Sequence, residues 1–254
     1  MKSLVGRVLL TAALLGAGCS RYRALDPDHE RELHRVAILA HVDSGPVVQV
    51  AQVDPKEGRA YPTLAPAEAD KKLAGALLGQ VRRFELQERL RAALVERLPA
   101  RPPWTTTLPA VEVATALQSL LVEDRSGDID YKALWSRGAD SVLELTVSEF
   151  GVHTVKGRTG LYLKGDGRLF TREGSTLWKA PLDLDDALDL NAEPANVVAL
   201  RDGGFREAII GLVGRLSERL ADDLRAREEK APGEPAKGPA EPPVAPKDEG
   251  TDTK

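Results

Sequence analysis

SVLELTVSEF, Ser141 to Phe150, is the stretch on which the fold turns. Leu143, Leu145 and Val147 fall on one face and Glu144, Thr146 and Ser148 on the other, the period of two that marks a strand buried on one side. Downstream, Lys156-Gly157-Arg158-Thr159-Gly160 reads as a turn. Leu161, Leu163, Leu169 and Thr171 then share one face of a returning strand, and Gly165 and Gly167 predict a bulge between them. A second turn at Glu173-Gly174-Ser175 leads into Thr176 to Leu182, with Trp178 and Leu182 on one face. Three strands joined by short turns and apolar on one side form an antiparallel meander that something must cover. Strands of about 10 residues can also cross an outer membrane, and Lys164, Asp166 and Arg168 alternate as a pore-lining face would. A helix-covered sheet explains the same alternation without a ring of subunits.

Beyond the meander, Asp183, Asp185, Asp186, Asp189 and Glu193 form an acidic run. Calcium takes such ligands, but an EF-hand counted from Asp183 puts Leu188 where the loop's glycine belongs and Pro194 where its last glutamate belongs. The run reads as a solvated loop. Phe205, Ile209, Leu212, Leu216, Leu220 and Leu224 then make a single helical stripe, with Asp202 as the expected cap. The stripe suits the open face of the meander, or a partner. From Lys230 to Lys254 the composition is Pro, Ala, Lys, Glu and Gly without an aromatic residue, which predicts a disordered tail of polyproline character. Such a tail solubilises, or tethers the domain to a partner or the cell wall.

Upstream, Tyr131 to Arg137 reads as a short helix capped by Asp128 or Asp130 and closed by Gly138. Pro109 to Val122 reads as another, with Val113, Leu117, Leu120 and Leu121 inward. WTTTL, Trp104 to Leu108, has the composition of an edge strand. Ala67 to Leu98 is helical, with Leu73, Leu77, Val81 and Phe84 in one register and Leu86, Leu90, Leu94 and Leu98 in another. Arg35 to His41 is apolar on both sides, as an interior strand is. Asp43-Ser44-Gly45-Pro46 is turn chemistry, and Val47 to Val53 offers a second strand. His41, Asp43 and Ser44 carry the letters of a catalytic triad. A working triad converges from separate places beside an oxyanion hole, and no G-x-S-x-G elbow occurs. His29 and His34 lack further ligands at useful spacing and read as solvated histidines. The fold class is therefore α/β (α+β): a mixed sheet with an antiparallel meander and helices packed on it, one domain followed by a disordered tail.

The first twenty residues give the compartment. Lys2 and Arg7 precede an uncharged apolar run from Val8 to Leu15, and Gly16-Ala17-Gly18-Cys19-Ser20 follows. Charge, a short apolar run and small residues describe a secretory signal, too short to span a bilayer. The stretch resembles the lipobox of bacterial lipoproteins. The resemblance implies cleavage between Gly18 and Cys19 and acylation of Cys19, with chains such as palmitate, as the new N-terminus. That family most often has Leu three residues before the Cys, where this chain has Gly16, with Leu15 one further back. A plain signal peptide that leaves a free thiol is the alternative. Ser20 stands where an inner-membrane retention signal would have Asp, which by resemblance to known sorting favours the periplasmic face of the outer membrane.

Cys19 is the only cysteine, so no internal disulfide and no thiolate zinc site can form. The formal net charge is −4, and loss of Lys2 and Arg7 with the signal makes the chain more acidic still. Such a chain lacks the basic footprint that nucleic-acid binding needs. The expected organisation is a signal peptide over 1–18, a lipidated tether over 19–34, a globular α/β domain over 35–229 and a tail over 230–254.

Strand, helices, the GADSVLEL strand (Gly138 to Leu145), a meander with a Leu177-Trp178 pair and a terminal helix resemble a group of envelope lipoproteins. The group includes the curli-secretion lipoprotein, the penicillin-binding-protein activator lipoprotein and the N-terminal domain of the translocation protein TolB. The resemblance implies an assembly or interaction role with an envelope protein partner. In agreement, the sequence offers no phosphate-cradling loop, metal constellation or nucleophile beside a base, so no catalytic residue, metal ligand or cofactor is expected. A subunit of a homo-oligomeric secretion or transport assembly is the alternative, followed by a periplasmic ligand binder or enzyme.

Overall fold

The computed structural model describes residues 22–30, 33–54, 60–98, 106–116 and 131–224. Cys19, Gly18, the signal, the tail from Lys230, Trp104, Leu117, Leu120, Leu121 and the caps expected of Asp128 or Asp130 lie outside them. Strands β1 (Arg35–Val42), β2 (Val47–Gln49), β3 (Thr106–Thr107), β4 (Ser141–Val155), β5 (Arg158–Thr171) and β6 (Thr176–Asp185) form one mixed sheet. Its order is β3-β1-β4-β5-β6, with β2 also on β4. β3, β1 and β4 are parallel, while β4, β5 and β6 make the antiparallel meander. The helices are α1 (Pro27–Glu30), α2 (Pro66–Leu78), α3 (Arg83–Arg97), α4 (Ala110–Ala116), α5 (Lys132–Trp135), α6 (Val197–Ala199) and α7 (Phe205–Asp223). The α/β class and the helix-covered meander are those the alternation required.

The meander's strands are longer than the alternation alone delimits. Val155 pairs with Arg158, and Lys156 and Gly157 between them have φ of 49° and 78°. The connection is thus a two-residue turn of the kind that matches strand twist, with Gly supplying a positive φ at no steric cost. The expected five-residue turn over 156–160 is corrected accordingly. The expected bulge lies on the neighbouring strand: Val147 pairs with Gly165 and Glu149 with Lys164, leaving Ser148 extra. One inserted residue reverses the parity. Leu143, Leu145 and Val147 before it and Phe150 and Val152 after it therefore all enter one core. Gly167 serves a different need, because a Cβ there would stand 2.8 Å from the Trp178 ring.

Asp43 to Pro46 does not turn the chain back. β2 rejoins β4 in the same direction, with Val47 opposite Gly151. The chain steps out where β4 bulges: Asp43 N–H donates to the Val147 carbonyl at 3.0 Å and Ser44 Oγ to the Ser148 carbonyl at 3.0 Å. β2 then stops at Gln49, and Val50 to Val53 is a turn instead of further strand.

One face of the sheet carries the main core under α2, α3 and α7. Phe205, Ile209, Leu212, Leu216, Leu220 and Leu224 are all buried there with Leu145, Leu163, Trp178 and Leu182. Each contributes about 1.5–3 kcal/mol by leaving water. This covering answers the pore-lining alternative, since the apolar face packs on helices. The shift of register within 67–98 marks two helices, α2 and α3, the second beginning at Arg83 as its leucine register requires. Phe84, expected on the inner stripe, is instead 61% exposed in the first turn of α3. On the opposite face, Val113 of α4 and Leu134 of α5 join Ala37, Leu39, Val142 and Phe170 in a smaller core.

Asp202 does not cap the last helix. α7 itself has no side-chain cap; Asn196 caps the short α6 ahead of it, accepting from Val198 and Ala199 N–H at 3.0 and 3.1 Å, so the helical path begins at α6. It passes through a π-turn (Leu200–Gly204) in which Gly203 has φ 126°. Gln80 fills the broken ladder by donating to the Leu200 and Arg201 carbonyls and accepting from Phe205 N–H.

Within the stretch 19–34 expected as tether, described residues contact the domain. Leu25 and Leu33 are buried in the main core, and Arg23 exchanges two backbone hydrogen bonds with Lys179 on the outer edge of β6. That edge is further blunted by Pro181 and by Arg219, which donates to the Pro181 and Asp183 carbonyls.

Candidate functional site

Because side chains alternate, the second face of the meander carries the residues that the core leaves out. Register aligns them in rungs: Glu144, Arg168 and Lys179; Thr146, Asp166 and Pro181; Glu149, Lys164 and Asp183; Gly151, Tyr162 and Asp185. Among the described residues, no helix packs over this part of the face. Lys164, Asp166, Arg168 and Asp183 are exposed.

Two networks order the ladder. At one end, Arg168 Nε donates to Glu144 Oε2 at 2.5 Å and Tyr131 Oη to Glu144 Oε1 at 2.9 Å. The Arg168 guanidinium lies 4.9 Å from the Phe170 ring centre, and Tyr131 meets the same ring edge-on. Burial, reinforced by the Glu144 carboxylate, pushes the Tyr131 phenol up to about 12. At the other end, Tyr162 Oη donates to Glu149 Oε1 at 2.5 Å, and His153 stacks on the Tyr162 ring at 4.3 Å. His153 Nε2 lies 2.8 Å from Asp185 Oδ1, which also accepts Ala187 N–H at 3.0 Å. Burial first, then the Glu149 hydrogen bond and the Glu149 and Asp185 charges, holds the Tyr162 phenol above its ordinary range. Both phenols thus stay protonated at neutral pH and act as hydrogen-bond donors. His153 and Asp185 are only 12% and 11% exposed at their side chains and are spent on each other. The arrangement is a charged surface ordered by its own hydrogen bonds.

Sequence reasoning noted Lys164, Asp166 and Arg168 but missed His153, Tyr162, Glu149 and Tyr131. Their meeting depends on the extra residue at Ser148 and on the tight turn at Lys156-Gly157, which set the rungs. Asp185, read as part of an acidic run, is divided from its neighbours: Asp186 pairs with Arg215, and Asp189 accepts Asn191 N–H.

The other sequence candidates disperse. His41 Nε2 pairs with Asp43 at 3.0 Å and its Nδ1 lies 3.5 Å from Gln87 Nε2, while the Ser44 hydroxyl is given to the Ser148 carbonyl. No imidazole nitrogen is left to activate that serine. His29 lies beside Asp26, and the backbone N–H of His34 donates to Asp140. Among the described residues, no three His, Cys, Asp or Glu side chains converge as a metal site. No helix there is long and apolar enough to cross a membrane. A shallow depression on α3 is lined by Phe84, Glu85, Glu88, Arg89 and Ala92. Its Glu85 and Glu88 are paired with Arg206 and Arg91.

No family model and no curated protein matches the sequence. Among solved structures, the chain is similar to a PelC dodecamer from Paraburkholderia phytofirmans at 12% identity and a TM-score of 0.38, over 81% of this chain and 95% of that one. It is similar to the hypothetical protein CT253 from Chlamydia trachomatis at 11% identity and a TM-score of 0.38, over 77% and 99%. It is similar to lipoprotein GNA1162 from Neisseria meningitidis at 15% identity and a TM-score of 0.29, over 72% and 99%. Likenesses this distant carry no statement about what the chain does.

Proposed function

We propose that this chain is a bacterial lipoprotein whose α/β domain works by binding an envelope protein and not by catalysis. Cleavage behind Gly18 exposes Cys19, which is acylated and holds the domain on the periplasmic face of the outer membrane. The observation that carries this reading is the placement of the chain's sole cysteine behind a charged, apolar and then small-residue leader. The ladder supports the interaction role. Its tyrosines are locked as donors, its one histidine is paired, and Lys164, Asp166, Arg168 and Asp183 remain exposed for a polar partner.

Crosslinking in living cells, followed by detergent extraction and identification of what co-purifies, tests the reading. A defined envelope protein, lost from an Arg168→Glu/Lys164→Glu chain that still folds, supports it. Multiples of the chain alone would replace it by the homo-oligomeric alternative, and capture of nothing, with a small ligand found by screening, by a ligand binder or enzyme.

A further inference from the structure

If Cys19 is acylated, only Ser20 and Arg21 separate the lipid from Tyr22. Three Cα steps reach at most about 11 Å. Tyr22 is already fixed to the domain: its hydroxyl donates to Asp223 Oδ1 at 2.9 Å, and the second oxygen of that carboxylate accepts Trp178 Nε1–H at 3.2 Å. The next residue is locked by paired backbone bonds, Arg23 N to Lys179 O at 2.7 Å and Lys179 N to Arg23 O at 3.0 Å. Further along, Leu25 and Leu33 are buried in the main core. The chain therefore joins the domain at one place, the outer edge of β6 beside the end of α7. Tyr22, 41% exposed there, has the apolar ring and polar tip found at membrane interfaces.

We infer that the lipid seats the domain edge-on against the bilayer, with the outer edge of β6 and the C-terminal end of α7 toward the headgroups and the β3 edge away from them. This inference rests on the acylation of Cys19 proposed above. Four strand spacings separate β6 from β3, about 19 Å at about 4.8 Å each. The polar ladder then stands across the bilayer normal, open sideways to a periplasmic partner, while the β6 edge is closed to strand addition. A domain on a long leash would sample all orientations, whereas a reach of about 11 Å does not allow it.

The acylated full chain offers a clean test, because its one native thiol is consumed by lipid. Single Asp183→Cys and Val111→Cys chains carry a donor dye on β6 and on α4 beside β1. They are reconstituted in phosphatidylethanolamine and phosphatidylglycerol vesicles that hold a headgroup-linked acceptor. Energy transfer is expected to be greater from position 183 than from position 111. A long Gly/Ser insertion between Ser20 and Arg21 should abolish the difference. Equal or reversed transfer from an acylated, vesicle-bound chain overturns the orientation alone. An intact mass without acyl chains, together with failure to float with vesicles, overturns the acylation on which it rests.

Discussion

Asp70 is 3% exposed, and its carboxylate holds the turn after β2 by accepting Val50 N–H, Ala51 N–H at 2.8 Å and Gln52 N–H at 3.1 Å. Asp70→Ala removes the acceptor and leaves these donors behind. Val50 and Ala51 are themselves buried, at 0% and 3% exposure, so water does not replace the carboxylate there. A buried donor left unsatisfied costs about 1–3 kcal/mol. With Gln52 at the surface free to find water, two orphans make the expected loss about 2–6 kcal/mol. That is a large part of the about 5–15 kcal/mol by which domains are stable. Asp70→Asn keeps one acceptor oxygen and should lose about half as much. Urea unfolding followed by tryptophan fluorescence reads both, as a lower midpoint at unchanged slope. A loss below about 1 kcal/mol for Asp70→Ala would refute the reasoning, since it would mean that the turn satisfies its own amides.

Gln80→Leu keeps the volume but removes the amide N–H donors to the Leu200 and Arg201 carbonyls and the acceptor for Phe205 N–H. It should cost about 1–3 kcal/mol and speed exchange of the Phe205 amide. Gly167→Ala drives a methyl toward Trp178 and Leu145. It is expected to cost about 1–3 kcal/mol and to change the near-ultraviolet dichroism. The phenol of Tyr131 is raised from 10.0 to about 12 in the folded chain. Its contribution to stability is therefore present below pH 10 and lost as pH rises through about 12, because the unfolded chain gives up that proton first. Tyrosinate absorbance should show two phenols, those of Tyr131 and Tyr162, still protonated above pH 10. Simple titration of all four near the ordinary value would contradict the ladder's hydrogen bonds.

The meander was legible because Leu143, Leu145 and Val147, and Leu161 and Leu163, repeat at two with burial on one side only. The final helix was legible because six large apolar residues repeat at three or four. What escaped was set by single residues with no periodic signal. Ser148 reverses the parity of β4, and Lys156 takes a positive φ that its residue type rarely adopts. Asn196 caps a helix that continues through a break at Gly203, where only a distant Gln80 supplies the missing partners. Leu25 and Leu33 stand among charges and gave no pattern, yet both are core residues. The polar ladder was half visible as Lys164, Asp166 and Arg168. Its other half lies across strand pairings that no local window of sequence contains.

The central claim is that Cys19 anchors this domain to a membrane. Intact-mass and N-terminal peptide analysis of the protein recovered from membranes tests it most directly, beside a Cys19→Ala chain made in parallel. The account predicts a mature chain that begins at Cys19 and carries acyl chains, and an alanine variant that keeps Met1 to Gly18 and gains no lipid. An unmodified thiol on a chain recovered from the soluble fraction would contradict it.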